Sequence, residues 1–295
     1  MKIKPGDIPT AKLHALLLGS VAPRPIAFAS TIDREGRPNL SPFSFFNCFG
    51  SKPPILVFSP ARRVRNNTLK HTLENIYQNW EVVINVVSYE MVQQMNLASV
   101  EFPQGVDEFV KSGFGKAPAD TVRPFRVKES PVQFECRVRQ VLETGSEGGA
   151  ANLIMCEVLT MHLDDRLLNE QGFIDPNRID LVARMGNDYY ARASGDAVFE
   201  VPKPNLKPAL GYDAIPEAVR SSEVLSGNDL GMLGNVEHWP APEEIALIRQ
   251  KDWWLELQHR YGEDRHALTY HLHSRAKELL KNQQVEEAWK ILLSL

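Results

Sequence analysis

Between Val21 and Asn47 the chain reads VAPRPIAFASTIDREGRPNLSPFSFFN, and the polar residues in it are of an unusual kind for a strand pair. Arg24–Ile32 is β-prone, Asp33-Arg34-Glu35-Gly36 has turn chemistry, and Pro38–Asn47 is extended again. An ordinary core hairpin alternates apolar residues with Lys and Glu. Here Ser30, Thr31, Asn39, Ser41, Ser44 and Asn47 take those places, beside Phe43, Phe45 and Phe46. Small neutral hydrogen-bonding groups next to aromatic rings suit a flat ligand with polar edges. The blander alternative, a hairpin with a polar outer face, would carry more charge. Alternation sends Phe43 and Phe45 to one face, the core, and Phe46 to the other.

The elements that must hold this hairpin follow from the rest of the chain. Candidate strands are Arg24–Ile32, Pro38–Asn47, Ile55–Ser59, Glu81–Val87, Val132–Glu143 and Ala151–Leu163. Leu73, Ile76, Tyr77 and Trp80 recur at helical spacing in Thr72–Trp80, and Tyr89–Ala98 reads as a second helix. Many strands with two helices among them point to a closed or nearly closed antiparallel barrel rather than a doubly wound sheet.

Composition changes near residue 200. All 13 phenylalanines lie at or before Phe199, whereas four of the 5 tryptophans (Trp239, Trp253, Trp254, Trp289) follow it. The stretch Val201–Pro242 carries six prolines and several glycines, which excludes a long helix or a central strand. It reads as a linker, residues 201–241, lying over the body. A helical extension, residues 242–295, follows. Pro242 takes a first-turn position with Glu243 and Glu244 behind it. Asp264–Lys281 places Leu268, Leu272, Ala276 and Leu279 on one stripe, and Val285–Leu293 has Ala288, Trp289 and Leu292 on its apolar side. These helices need a surface to cover, either the barrel or a second subunit.

Several function classes are disfavoured. A net charge of −4 argues against general nucleic-acid binding. The start of the chain lacks a signal-peptide h-region, and no apolar run is long enough to span a bilayer. Cys48, Cys136 and Cys156 form no CxxC pair and read as buried free thiols of a cytoplasmic protein. HExxH, GxxxxGK[ST] and GxGxxG are absent, and the scattered histidines offer no metal set, so no metal site is expected.

The ordered segments RPIAFASTIDREGRPNLSPFSFFN, SKPPILVFSP, KHTLENI, EVVINVVS, ASVEFPQGVDEF, ESPVQFEC and ARMGNDYYAR resemble the flavin reductase-like proteins with an FMN-binding split β-barrel. That group includes flavoredoxins and the reductase components of two-component flavin monooxygenases. The resemblance runs from about residue 10 to 195. It implies a mainly β protein with helices, its flavin-binding split antiparallel barrel in residues 1–200. FMN, or FAD, would lie in a groove completed by a second subunit of a homodimer, with NAD(P)H as co-substrate. By position, Thr31, Asn39, Ser41, Pro42, Ser44 and Asn47 should line the isoalloxazine and ribityl part, while Ser59, Arg62, Lys70 and Thr72 should hold the phosphate. Lys70-His71-Thr72 departs from the family's usual Lys-Asp-Thr, which leaves a role for His71 open.

The residues support the phosphate end on their own. Thr72 is a reasonable N-cap, and a helix N-terminus offers free N–H groups and partial positive charge to an anion. Lys70 and Arg62 lie nearby; Arg63 and Arg65 read as solvated. Glu101, Asp107 and Glu108 of EFPQGVDEF offer a lining for the cofactor mouth, but surface carboxylates are the commoner outcome and they stay outside the expected site. Hydride transfer between two stacked rings needs orientation more than an acid or base, so no catalytic side chain is nominated. The expected activity is that of an FMN-dependent oxidoreductase, an NAD(P)H:flavin reductase whose product serves an oxygenase or a small acceptor. The competing reading is an FMN-binding electron-transfer or flavin-storage protein. A haem or pyridoxine-phosphate site on a related barrel is a remote third.

Overall fold

The hairpin forms as its residue types require. In the computed structural model, which describes residues 1–202 and 208–295, Ala27–Ile32 (β1) pairs antiparallel with Pro38–Phe43 (β2), setting Thr31 opposite Asn39. Gly36 takes the positive φ of +80° that the turn needs, and the Asp33 carboxylate accepts the Arg37 N–H at 2.8 Å. Phe46–Ser51 (β3), Pro54–Phe58 (β4), Glu81–Asn85 (β5), Val132–Glu143 and Asn152–Leu163 complete a seven-stranded sheet. Lys116–Ala117 (β6) and Arg126–Val127 (β7) pair separately, so the two long strands are β8 and β9.

The order β2-β1-β5-β8-β9-β4-β3 places β2 and β3 at opposite edges, yet only Ser44 and Phe45 separate them in sequence. Laid flat, the two edges of this sheet, six inter-strand gaps apart, would lie roughly 29 Å from each other at ~4.8 Å per gap. Three Cα steps reach about 11 Å at most. The sheet therefore curls into a split barrel, and the Ser59 N–H donating to the Phe45 carbonyl at 2.9 Å pins the link against the end of β4.

The single expected strand Pro38–Asn47 is thus two strands, and the link breaks its alternation. Phe43 is buried in the barrel core as expected, Phe46 packs half-buried against that core, and Phe45 is exposed. The reason is geometric: Phe45 belongs to a link between strands, where period-two alternation does not apply.

Thr10–Ser20 (α1) precedes the sheet, and His71–Asn79 (α2) sends Leu73 and Ile76 into the barrel core with Ala27, Ala29, Phe58 and Ile154. The opposite face of β1 is covered too. Phe28 packs with Met95 of Val92–Leu97 (α3) and Phe109 of Glu108–Ser112 (α4). Because both faces are covered, all six β1 residues are buried. The expected helix over Tyr89–Ala98 is a 3-10 turn, Tyr89–Met91, followed by α3. Pro176–Ile179 (α5) leads into the hairpin of Leu181–Arg184 (β10) and Tyr190–Ala193 (β11).

The chain divides into two compact units, Met1–Phe199 and Glu200–Leu295. The second contains Glu217–Arg220 (α6), Gly227–Gly234 (α7), Pro242–Ile248 (α8), Asp252–Tyr261 (α9), Arg265–Lys281 (α10) and Val285–Leu292 (α11). Residues 203–207 of the expected linker, Pro204 among them, lie outside the described residues. The later part of that stretch is not a spacer. Ile215, Val219, Leu225, Leu230 and Leu233 are buried in a core shared with Leu268, Leu272, Ala276 and Trp289. Proline and glycine limit the helices here to short ones, as expected, but short helices still bury side chains. Trp289 is only 1% exposed and donates its indole N–H to the Leu233 carbonyl at 3.0 Å. The C-terminal helices therefore cover one another, contrary to the expectation that they need the barrel or a second subunit.

Candidate functional site

The start of α2 is where the expected ligand residues converge. Lys70 occupies its N-cap position, and no side chain caps the helix. Thr72, expected to be the N-cap, lies inside the first turn. Its buried hydroxyl accepts from the Asn39 amide at 2.9 Å instead. The Thr31 hydroxyl accepts from Asn75 of α2 at 3.1 Å and from Asn39 at 3.4 Å. This buried polar group of four ties β1 and β2 to the helix. With its first N–H groups uncapped, the helix presents the positive end of its dipole at this point.

Beside it lies a cation cluster built on one carboxylate. Glu101 accepts from Lys70 Nζ at 2.8 Å and from Arg63 Nε at 2.9 Å through one oxygen, and from Arg65 at 3.0 Å through the other. The hydrogen bond from Lys70, then that from Arg63, lowers the Glu101 pKa to about 2. Arg63 also donates to the Thr68 hydroxyl and the Leu69 carbonyl, so it is a fixed part of the loop rather than a solvated arginine. Arg65 is largely exposed, as expected. Arg62 binds Asn67 through two hydrogen bonds, at 2.8 and 3.0 Å. A Cβ on Gly148 would stand 3.0 Å from the Val64 carbonyl, so glycine is what lets the β8–β9 turn lie against this arginine loop.

Two clefts meet at these cations. A cleft of about 610 Å³ is lined by Arg62, Arg63, Lys70 and Glu101 together with Phe45 and with His14 and Leu17 of α1. That volume is in the range of small-molecule sites. A narrow one, about 20 Å³, is lined by Asn39, Ser41, Lys70, His71 and Thr72 with Glu101 and Glu108, and has room for a water or one small group. Asn39, Ser41, Arg62, Lys70 and Thr72 are thus brought together, and His71 sits with them. Pro42 and Ser44 are half-buried at the end of β2 and in the link after it, and Asn47 is exposed on β3. Ser59 is buried, its hydroxyl accepting the Asn152 N–H of β9 at 3.2 Å. Thr31 and Ser30 are wholly buried, and the Ser30 hydroxyl has no hydrogen-bond partner.

Glu101 and Arg63 are the members that sequence reasoning passed over, and Glu108 is a second misplaced carboxylate. Glu108 is buried, which pushes its pKa up, and it accepts the Leu40 N–H of β2 at 3.1 Å. The segment EFPQGVDEF drew attention to both acids; what it could not reveal is the closure that brings residue 101 against residues 63–70. A separate group, Asp120, Glu135 and His162, gathers three ligand-type atoms within 4.8 Å. The oxygens of Glu135 are already taken by Asp120 N, Thr121 N, Thr121 Oγ1 and His162 Nε2. Burial alone would raise the Glu135 pKa, but these hydrogen bonds outweigh it and bring the value to about 2. Its role is to hold the loop over β8.

The sequence model of the family described as flavin reductase like domain matches residues 18–178, more than half of the chain and wholly inside the first unit. The chain belongs to the flavin reductase-like family. An uncharacterized protein of Aquifex aeolicus is 35% identical over 189 residues, 64% of this chain and 94% of its own. Nitrilotriacetate monooxygenase component B from Bacillus cereus superposes with a TM-score of 0.64 at 25% identity, over 68% of this chain and 98% of its own. The 2-nitrobenzoate 2-nitroreductase NbaA of Pseudomonas fluorescens gives 0.62 at 25% identity, over 72% and 100%. This flavin reductase-like chain is accordingly a split-barrel flavoprotein oxidoreductase, with a helical second unit after the family match.

Proposed function

We propose that this protein is an FMN-dependent NAD(P)H:flavin reductase. The observation that carries the reading is the gathering of Lys70, Arg63 and Arg65 around a single carboxylate at the uncapped start of α2, next to the Asn39–Thr72 pair. Three cations against one acid leave two positive charges unmatched, the complement of a phosphomonoester, which carries roughly −1.5 to −2 at neutral pH. Arg62, Lys70 and Thr72 would hold that phosphate. The flavin end would lie along Asn39, Ser41, Pro42, Ser44 and Asn47, where small polar groups are half-buried or exposed. Thr31 and Ser59 act one step behind, fixing Asn39 and β9.

Bound flavin supplies the two-electron acceptor chemistry; the chain supplies the anion pocket, the orientation of the ring and its shielding from water. The exposed apolar residues Leu16, Leu17, Val21, Phe45 and Phe49 support a homodimer that closes the groove. The likeness to a monooxygenase component supports delivery of reduced flavin to an oxygenase partner. Three free thiols, Cys136 and Cys156 buried as expected but Cys48 exposed on an edge strand, support a cytoplasmic setting. Among the described residues no helix is long and apolar enough to cross a membrane. The test is steady-state oxidation of NADH and NADPH with FMN added. Turnover that rises with FMN supports the reading; FMN binding without nicotinamide oxidation would favour an electron-transfer or storage role.

A further inference from the structure

Resting on that reading, we infer that Glu101 is a built-in counter-anion of the phosphate pocket, displaced when a doubly charged phosphomonoester enters. Its charge thereby sets how strongly the site holds FMN without affecting neutral riboflavin.

The carboxylate and the cations are mounted differently. Arg63 is anchored by the Thr68 hydroxyl and the Leu69 carbonyl, and its side chain is only 15% exposed. Lys70 is the N-cap residue of α2, so its backbone is fixed by the helix that enters the barrel core. Glu101 stands between the end of α3 and the start of α4, on a segment without regular structure, and its side chain is 40% exposed. When a stronger anion arrives, the acid has a path to solvent, while Arg63 and Lys70 keep their anchored positions.

Charge and donor count favour the exchange. The pocket presents three side-chain donors to two carboxylate oxygens carrying one charge. A phosphomonoester offers three terminal oxygens and about twice the charge, and charge-assisted hydrogen bonds are the strong ones. The Glu101 carboxyl, already at about 2, is fully ionised at neutral pH and so competes at every working condition. The opposing view makes Glu101 a scaffold whose charge keeps the cations assembled. The two views predict opposite signs for one substitution.

The experiment measures FMN and riboflavin binding by fluorescence quenching to the full-length protein and to Glu101→Gln. Glutamine keeps the shape and one acceptor but removes the charge, and equal melting temperatures show that the fold is kept. The expected result is FMN bound about tenfold more tightly by the variant, with riboflavin within about twofold of the original. If the original protein prefers FMN to riboflavin but Glu101→Gln weakens FMN or leaves it unchanged, displacement is overturned and the phosphate reading stands. If the original protein binds both flavins equally, the phosphate reading falls and this inference with it. Should Glu101→Gln melt early, Glu101→Ala serves instead, since it removes the same charge at a partly exposed side chain: FMN bound about tenfold more tightly supports displacement, and FMN bound equally or more weakly overturns it.

Discussion

The amide of Asn39 donates to the hydroxyl of Thr72 at 2.9 Å, which joins β2 to the first turn of α2 across 33 residues of sequence. Both groups are buried, so the bond is worth more than its nominal strength: losing the acceptor leaves a desolvated donor. Thr72→Val keeps the shape and removes the acceptor, leaving Asn39 only the 3.4 Å approach to Thr31. The expected cost is about 1–3 kcal/mol, read from denaturant unfolding. FMN affinity should fall in parallel, because the same turn forms the phosphate end.

Lys70 contributes charge rather than packing, since its ammonium meets Glu101 in a partly exposed setting. Lys70→Met should weaken FMN by about tenfold or more, as expected for losing a charge-assisted bond, while leaving riboflavin little changed. Rising salt should weaken FMN binding to the original protein more than to the variant.

Acid should destabilise the first unit in a defined window. Glu101 and Glu135 have pKa values near 2 in the folded chain against an ordinary 4.5, so folding favours their ionised forms. Stability from both is complete above 4.5 and is lost as pH falls toward about 2. Glu108 acts in the opposite sense, because burial raises its pKa: its contribution is complete at low pH and lessens as pH rises through the raised value. Melting temperatures measured from pH 6 to about pH 3 should drop most below 4.5. Glu135→Gln should start less stable and show a shallower drop.

The two units have separate hydrophobic cores, and both clefts at the cations are lined by residues of the first unit. Trp289→Ala should cost the second unit about 3–5 kcal/mol, the usual penalty for emptying a large buried site. Flavin binding should persist in that variant. Two resolved calorimetric transitions, only one of which moves, would be the expected record.

Much of this was legible from residue types. The strands Val132–Glu143 and Asn152–Leu163, the turn at Gly36 and the helices following Pro242 and Asp264 rest on local periodicity and punctuation, which a sequence displays directly. The gathering of Asn39, Ser41, Lys70 and Thr72 came from motif order. What escaped depends on closure. Phe45 lies in a link whose only purpose is to join two barrel edges, and no local pattern marks it. Glu101 reads as one more surface acid until the fold sets it among three cations. Val201–Pro242 reads as a spacer because prolines hide short helices, although Ile215, Val219 and Leu233 are core residues.

The most direct test of the flavin-reductase account is an anaerobic absorbance titration: FMN-loaded protein with NADH or NADPH. The account predicts that the visible flavin bands bleach with stoichiometric nicotinamide and return when air is admitted. Flavin bands that persist in excess of both nicotinamides, or a protein that takes up no FMN at all, would contradict it.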